Sequence, residues 1–251
     1  MNFRPPLALA VRSPPARESQ ARSVGGAVLP RLVIAADAAT AVQTLADGDR
    51  VPIHVDVADP QSAAELLGAV VAKYGRLDAM INCAEIVREF PFLETPVEEF
   101  DAIVALNLRG TFVMGQAASR AMKLSGGGSI VNIAGVSGLR GNAGRSAYGL
   151  SNGGVVMLSM AMATDLAPLG ICVNVIAPGP VDSPHAELSP SPHARKRWTD
   201  AIPLERYARP DEIAGAAVFF CSAHASFITG QVLAIFGGFL GSGIIARPEV
   251  M

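Results

Sequence analysis

The sequence predicts an α/β fold, a doubly wound parallel sheet of about seven strands with helices on both faces, in a single domain over residues 1–251. Three observations point there. Short apolar runs alternate with longer amphipathic ones, which is the pattern of βαβ units. A composition of 50% hydrophobic and 17% charged residues over a chain of 251 can bury a large core. Helix start and stop signals then fall between the apolar runs.

The expected strands are Leu7–Val11, Leu32–Ala36, Val51–Val55, Leu77–Asn82, Ser129–Ile133, Cys172–Ile176 and Gln231–Ile235. Asp59-Pro60 supplies a cap and a proline at the first helical position, and Gly75 closes that helix. Thr95-Pro-Val-Glu98 has capping-box spacing and opens a helix toward Asn107. Pro210-Asp-Glu212 starts the last long helix. Right-handed crossovers wind these elements into one sheet.

The stretch Ser146–Leu169 is unusual. Val155, Val156, Met157, Met160, Ala161 and Met162 leave it almost no polar face. A helix that is apolar all round must be covered on both sides, here by the sheet and by another subunit.

Composition excludes several function classes. A net charge of −2 gives no electrostatic footprint for nucleic acid or an anionic membrane. His193-Ala-Arg195-Lys196-Arg197 is short enough to be a solvated helix face. Cys83, Cys172 and Cys221 lie far apart without CxxC spacing, and the four histidines form no ligand pattern, so no metal site is expected. The apolar run at Leu7–Val11 is stopped by Arg12, Pro14 and Pro15, unlike a signal peptide. No stretch approaches the roughly 20 apolar residues that cross a bilayer. A cytoplasmic protein is expected.

Several motifs occur together: Asp56-Val57, Gly75-Arg-Leu-Asp78, Asn107-Leu-Arg-Gly110-Thr, Ile130-Val-Asn-Ile133, Tyr148, Val173-Asn-Val-Ile-Ala-Pro178-Gly179-Pro-Val-Asp182, Arg209-Pro-Asp-Glu212-Ile and Phe227-Ile-Thr-Gly230-Gln. Over about residues 50–240 the chain thereby resembles the short-chain dehydrogenase/reductase family. That resemblance implies a Rossmann-like sheet, a nicotinamide cofactor and an Asn, Ser, Tyr, Lys tetrad.

The site positions depart from the family pattern. The glycine-rich nucleotide loop would fall at residues 12–19, where Ser13, Arg17 and Ser19 stand in place of the three glycines. Glycines there let backbone approach the pyrophosphate at a helix N-terminus, and Pro14 and Pro15 also remove N–H donors. Asp37 matches the acidic residue that holds the adenosine ribose, and Asp56 is a further family position; either is equally an ordinary polar strand end. Arg17 could bind a phosphate or simply fill space. The family's Asn-Asn-Ala-Gly reads Asn82-Cys83-Ala84-Glu85, which sets a carboxylate beside an anion-binding groove.

Of the tetrad, Asn107 and Tyr148 match. The serine position, thirteen residues before the tyrosine, is Gly135, and the lysine position is Asn152. Free tyrosine has a pKa of about 10, so roughly one molecule in a thousand is ionised at neutral pH. A neighbouring ammonium is the usual means of lowering it, and neutral Asn152 cannot do so. Ser137 could stand in for the lost serine only on a rearranged loop. The cofactor-free halohydrin dehalogenases use Ser, Tyr and Arg, of which only Tyr148 survives here.

The expectation is therefore a non-catalytic subunit that binds no cofactor itself. It would assemble with an active NAD-dependent homologue oxidising a hydroxyacyl-type substrate, as a heterotetramer through helices 96–123 and 146–168. The alternatives are a cofactor-free lyase or hydratase using Tyr148, an atypical reductase, or a small-ligand sensor. Residues 183–204 carry Pro184, Pro190 and Pro192 without a substrate signature. The tail 241–251 extends past the usual family end and is either an arm toward a neighbour or a loose terminus.

Overall fold

The computed structural model describes the backbone of residues 7–12 and 32–36 together with residues 49–182 and 191–242, with side chains from Val55 onward. Seven strands form one sheet: β1 (Leu7–Arg12), β2 (Leu32–Ala36), β3 (Asp49–His54), β4 (Ala79–Asn82), β5 (Gly128–Ile133), β6 (Ile171–Pro178) and β7 (Val232–Ile235). Their order is β3-β1-β2-β4-β5-β6-β7. From β2 through β7 every neighbouring pair is parallel.

The expected parallel sheet includes one antiparallel strand. β1 runs antiparallel to both β2 and β3, with Arg12 opposite Leu32 and Asp49. Arg12 thus leaves the sheet at the amino edge of the parallel strands. Leu7-Ala-Leu-Ala-Val11 is apolar throughout, so its pattern predicts a strand but not which way the strand runs.

Helices cover both faces. On one side lie α1 (Pro60–Tyr74), α2 (Val97–Ile103), α3 (Gly110–Ser125) and α4 (Ser146–Leu166). Leu66, Leu67 and Val70 of α1 and Met114 and Met122 of α3 pack there on Met80, Ile130 and Val173. On the other side α6 (Pro210–Phe220) brings Ala217 and Phe220 onto Ile81, Val131 and Ile176. Each such side chain contributes about 1.5–3 kcal/mol on full burial. α5 (Pro192–Ala201) lies beside the carboxyl end of β7. No helix among the described residues is long and apolar enough to cross a membrane.

The helix signals mostly hold. The Asp59 carboxylate accepts from Gln61 N and Ser62 N, and Gly75 ends α1 in the left-handed region at φ 77°. Glu212 accepts from Arg209 N at 2.8 Å at the start of α6. The capping box at Thr95 does not form. Pro96 takes the cap position, one residue later than expected, and the Thr95 hydroxyl instead donates to Pro91 O at 3.1 Å. Between α2 and α3 the chain passes through a π-helical stretch, Val104–Arg109, which carries Asn107. Such stretches widen the helix and re-aim a side chain.

Candidate functional site

At the carboxyl edge of β4 and β5 the first turns of α4 meet the loop 83–90. There the fold gathers five of the positions singled out by sequence: Glu85, Asn107, Gly135, Tyr148 and Asn152. Asn107 acts on the backbone of that loop. Its Oδ1 accepts from Ile86 N at 2.9 Å, and its Nδ2 donates to Ile86 O at 3.0 Å and Ser151 Oγ at 3.2 Å. A side chain from the π-helical stretch thereby fixes the residue next to Glu85.

Tyr148 is 6% exposed, and its hydroxyl donates to Glu85 Oε2 at 3.0 Å. Burial is the main cause that pushes the phenol well above its ordinary value; the Glu85 charge and hydrogen bond add to it. The Arg145 charge and an Asn152 hydrogen bond pull the other way and lose. A cation is therefore present near Tyr148, but it does not come from position 152. The Arg145 guanidinium lies 5.5 Å over the Tyr148 ring and 5.3 Å from the Trp198 ring. Its Nε donates to Glu89 Oε1 at 2.8 Å.

Asn152 is buried and its Nδ2 donates to Tyr148 O at 2.8 Å. Gly135 lies under the phenol: a Cβ there would fall 2.9 Å from Tyr148 Oη and 3.2 Å from Asn152 Oδ1. Ser137 does not replace the missing serine. Its Oγ accepts from Asn142 Nδ2 at 3.1 Å and Arg145 Nη1 at 3.5 Å. Asp56 stands apart from this cluster, where its Oδ1 accepts from Ala58 N at 2.9 Å on the way into α1. Ser13, Arg17, Ser19 and Asp37 lie outside the described residues, as do residues 183–190 and the tail beyond Ser242.

Sequence reasoning missed Arg145, Glu89 and the aromatic wall. Trp198 of α5 meets Phe236 edge-on at 5.9 Å, and Phe239 meets Phe236 at 4.6 Å. Arg145 belongs to no motif and stands just before α4, whose start at Ser146 brings it over the phenol. Glu89 and Trp198 reach the site only through tertiary packing. Chemically, the cluster holds a phenol that stays protonated at neutral pH. It can donate a proton or a hydrogen bond and is a poor base.

Comparisons agree with this fold. A family model described as enoyl-(acyl carrier protein) reductase matches residues 20–240. A 3-oxoacyl-(acyl-carrier-protein) reductase of Thermotoga maritima is 37% identical, covering 74% of this chain and 76% of the relative. A D-threitol dehydrogenase of Mycolicibacterium smegmatis is 36% identical over 88% and 86%. Among solved structures, a short-chain type dehydrogenase/reductase from Mycobacterium marinum superposes with a TM-score of 0.72 at 35% identity, covering 76% of each chain.

Proposed function

The chain belongs to the short-chain dehydrogenase/reductase family, and we propose that within it this chain is a non-catalytic cytoplasmic subunit. It assembles with an active NAD-dependent homologue that oxidises a hydroxyacyl-type substrate. The observation that carries this reading is the Tyr148 hydroxyl bonded to Glu85 directly above Gly135. The group that should meet substrate is engaged by the chain's own carboxylate, and the family's serine and lysine positions hold Gly135 and Asn152.

The described residues do not fit a nicotinamide ribose. Asn152 is neutral and spends its amide on Tyr148 O, and Glu85 puts a carboxylate at the phenol. The partner would carry that cofactor.

The hydroxyacyl class draws support from the 3-oxoacyl reductases among the relatives. The pattern of loss also resembles the inactive subunit of 2-(hydroxy(phenyl)methyl)succinyl-CoA dehydrogenase, which suggests a partner in anaerobic toluene and benzylsuccinate breakdown. Assembly has a surface at hand on α3 and α4, where Phe112 is 49%, Leu150 52% and Met157 65% exposed. Exposed large apolar side chains of this kind suit a subunit contact.

Native mass spectrometry of the protein isolated from its own host tests the proposal. A stable complex with a homologue that retains the glycine-rich loop and Tyr-x-x-x-Lys is the expected result. A homo-oligomer without such a partner overturns it.

The phenol–carboxylate pair also favours a second reading, a cofactor-free lyase or hydratase with Tyr148 as proton donor. Turnover by the purified chain that Tyr148→Phe abolishes would select it.

A further inference from the structure

Gly135 sits in extended backbone, at φ −141° and ψ 158°, which any residue adopts. Its conformation therefore gives no reason for glycine. What glycine provides is room, since a Cβ would fall 2.9 Å from Tyr148 Oη and 3.6 Å from the ring carbon bearing it. The hydroxyl lies within 2.9 Å of where a side chain at 135 would begin, closer than real Cβ contacts come, and it donates from there to Glu85 Oε2 at 3.0 Å. Glu85 in turn sits next to Ile86, whose N–H and C=O are both held by Asn107.

We infer that Glu85 is a positioning residue: it draws the Tyr148 hydroxyl into the volume vacated at Gly135, so that residues 85, 135 and 148 form one coupled closure of the cleft. This rests on the reading of the site as self-closed but not on any partner. It makes the two departures one event, because a side chain at 135 and the Glu85–Tyr148 bond compete for the same space. The charged groups that bear on the phenol are Glu85 and Arg145, the latter paired with Glu89.

A double-mutant cycle separates coupling from independent packing. Gly135→Ala should lower the folding equilibrium constant about tenfold in urea titrations of the wild-type background, within the range of contacting pairs. Added to Glu85→Ala or Tyr148→Phe it should be neutral or mildly stabilising, as Gly→Ala is at an unstrained position. The spectroscopic arm follows phenol ionisation near 295 nm, with the Tyr148 step identified by its loss in Tyr148→Phe. Glu85→Ala should move that step to lower pH, although burial keeps it above the ordinary value. An equal cost of Gly135→Ala in the wild-type and Glu85→Ala backgrounds, or an unmoved Tyr148 step, overturns the inference. Neither result depends on whether a partner subunit is found.

Discussion

Asn107 shows how one side chain from a helix can hold the backbone of a loop beside the candidate site. Its side chain satisfies both backbone groups of Ile86 and reaches Ser151 from a π-helical stretch. Asn107→Ala should therefore cost about 2–3 kcal/mol, because it strands two partly buried backbone groups. Urea unfolding at neutral pH reads this directly, and a change under about 0.5 kcal/mol, the range of an inert surface substitution, contradicts the clamp. The positions of Asn107, Gly135, Tyr148 and Asn152 were legible because motif spacing carries over from sequence to fold. The Glu85–Tyr148 bond was only half legible. Sequence placed an anion beside the cleft, but the direction of its side chain follows from tertiary packing. Arg145 was hidden for a different reason: no motif contains it, and only the helical start at Ser146 brings it over the phenol ring.

At the scale of elements, local signals worked where a side chain closes on its own helix. They failed where a neighbour intervenes, as at Thr95, displaced from the cap by Pro96. β1 was legible as a strand but not in its direction, which a uniformly apolar run does not encode. The start of α6 carries a testable electrostatic device. Glu212 is held at about 2, chiefly by its hydrogen bond from Arg206 and then by the Arg209 backbone N–H, against an ordinary value of 4.5. A carboxylate with a depressed folded-state pKa adds stability above its unfolded value, and that contribution fades as pH falls toward the folded one. Glu212→Gln should therefore lower the urea midpoint at pH 7, with the gap from wild type narrowing below about pH 4.5 and closing near pH 2. A gap that stays constant across that range would assign the effect to lost capping geometry rather than charge. The pair is exposed, so the change should be small and weaken further with salt.

For the molecule as a whole, the apolar side of α4 ties the fold to its proposed role. Ser151, Asn152, Val155, Ser159 and Ala163 face inward; Ser151 and Ser159 accept from Asn107 and Asn132, and all three polar members donate to the helix backbone. The outward side carries Leu150, Met157 and Met160, and α3 exposes Phe112. The sequence thus places its small and polar residues against the sheet and its large apolar ones toward solvent, the reverse of a helix that ends at a water boundary. Met157→Asp should leave the chain's own fold nearly intact, because that side chain is 65% exposed and makes little of the core. The same change should weaken assembly severely, since a carboxylate cannot be desolvated at an apolar contact without a partner charge. Sedimentation or native mass spectrometry of the variant should show lower-order species, with helical content unchanged by circular dichroism. A wild-type assembly that survives both Met157→Asp and Phe112→Asp would move the contact to another surface. If the wild type proves monomeric at all concentrations, the apolar face has no occupant and the subunit reading loses its structural support.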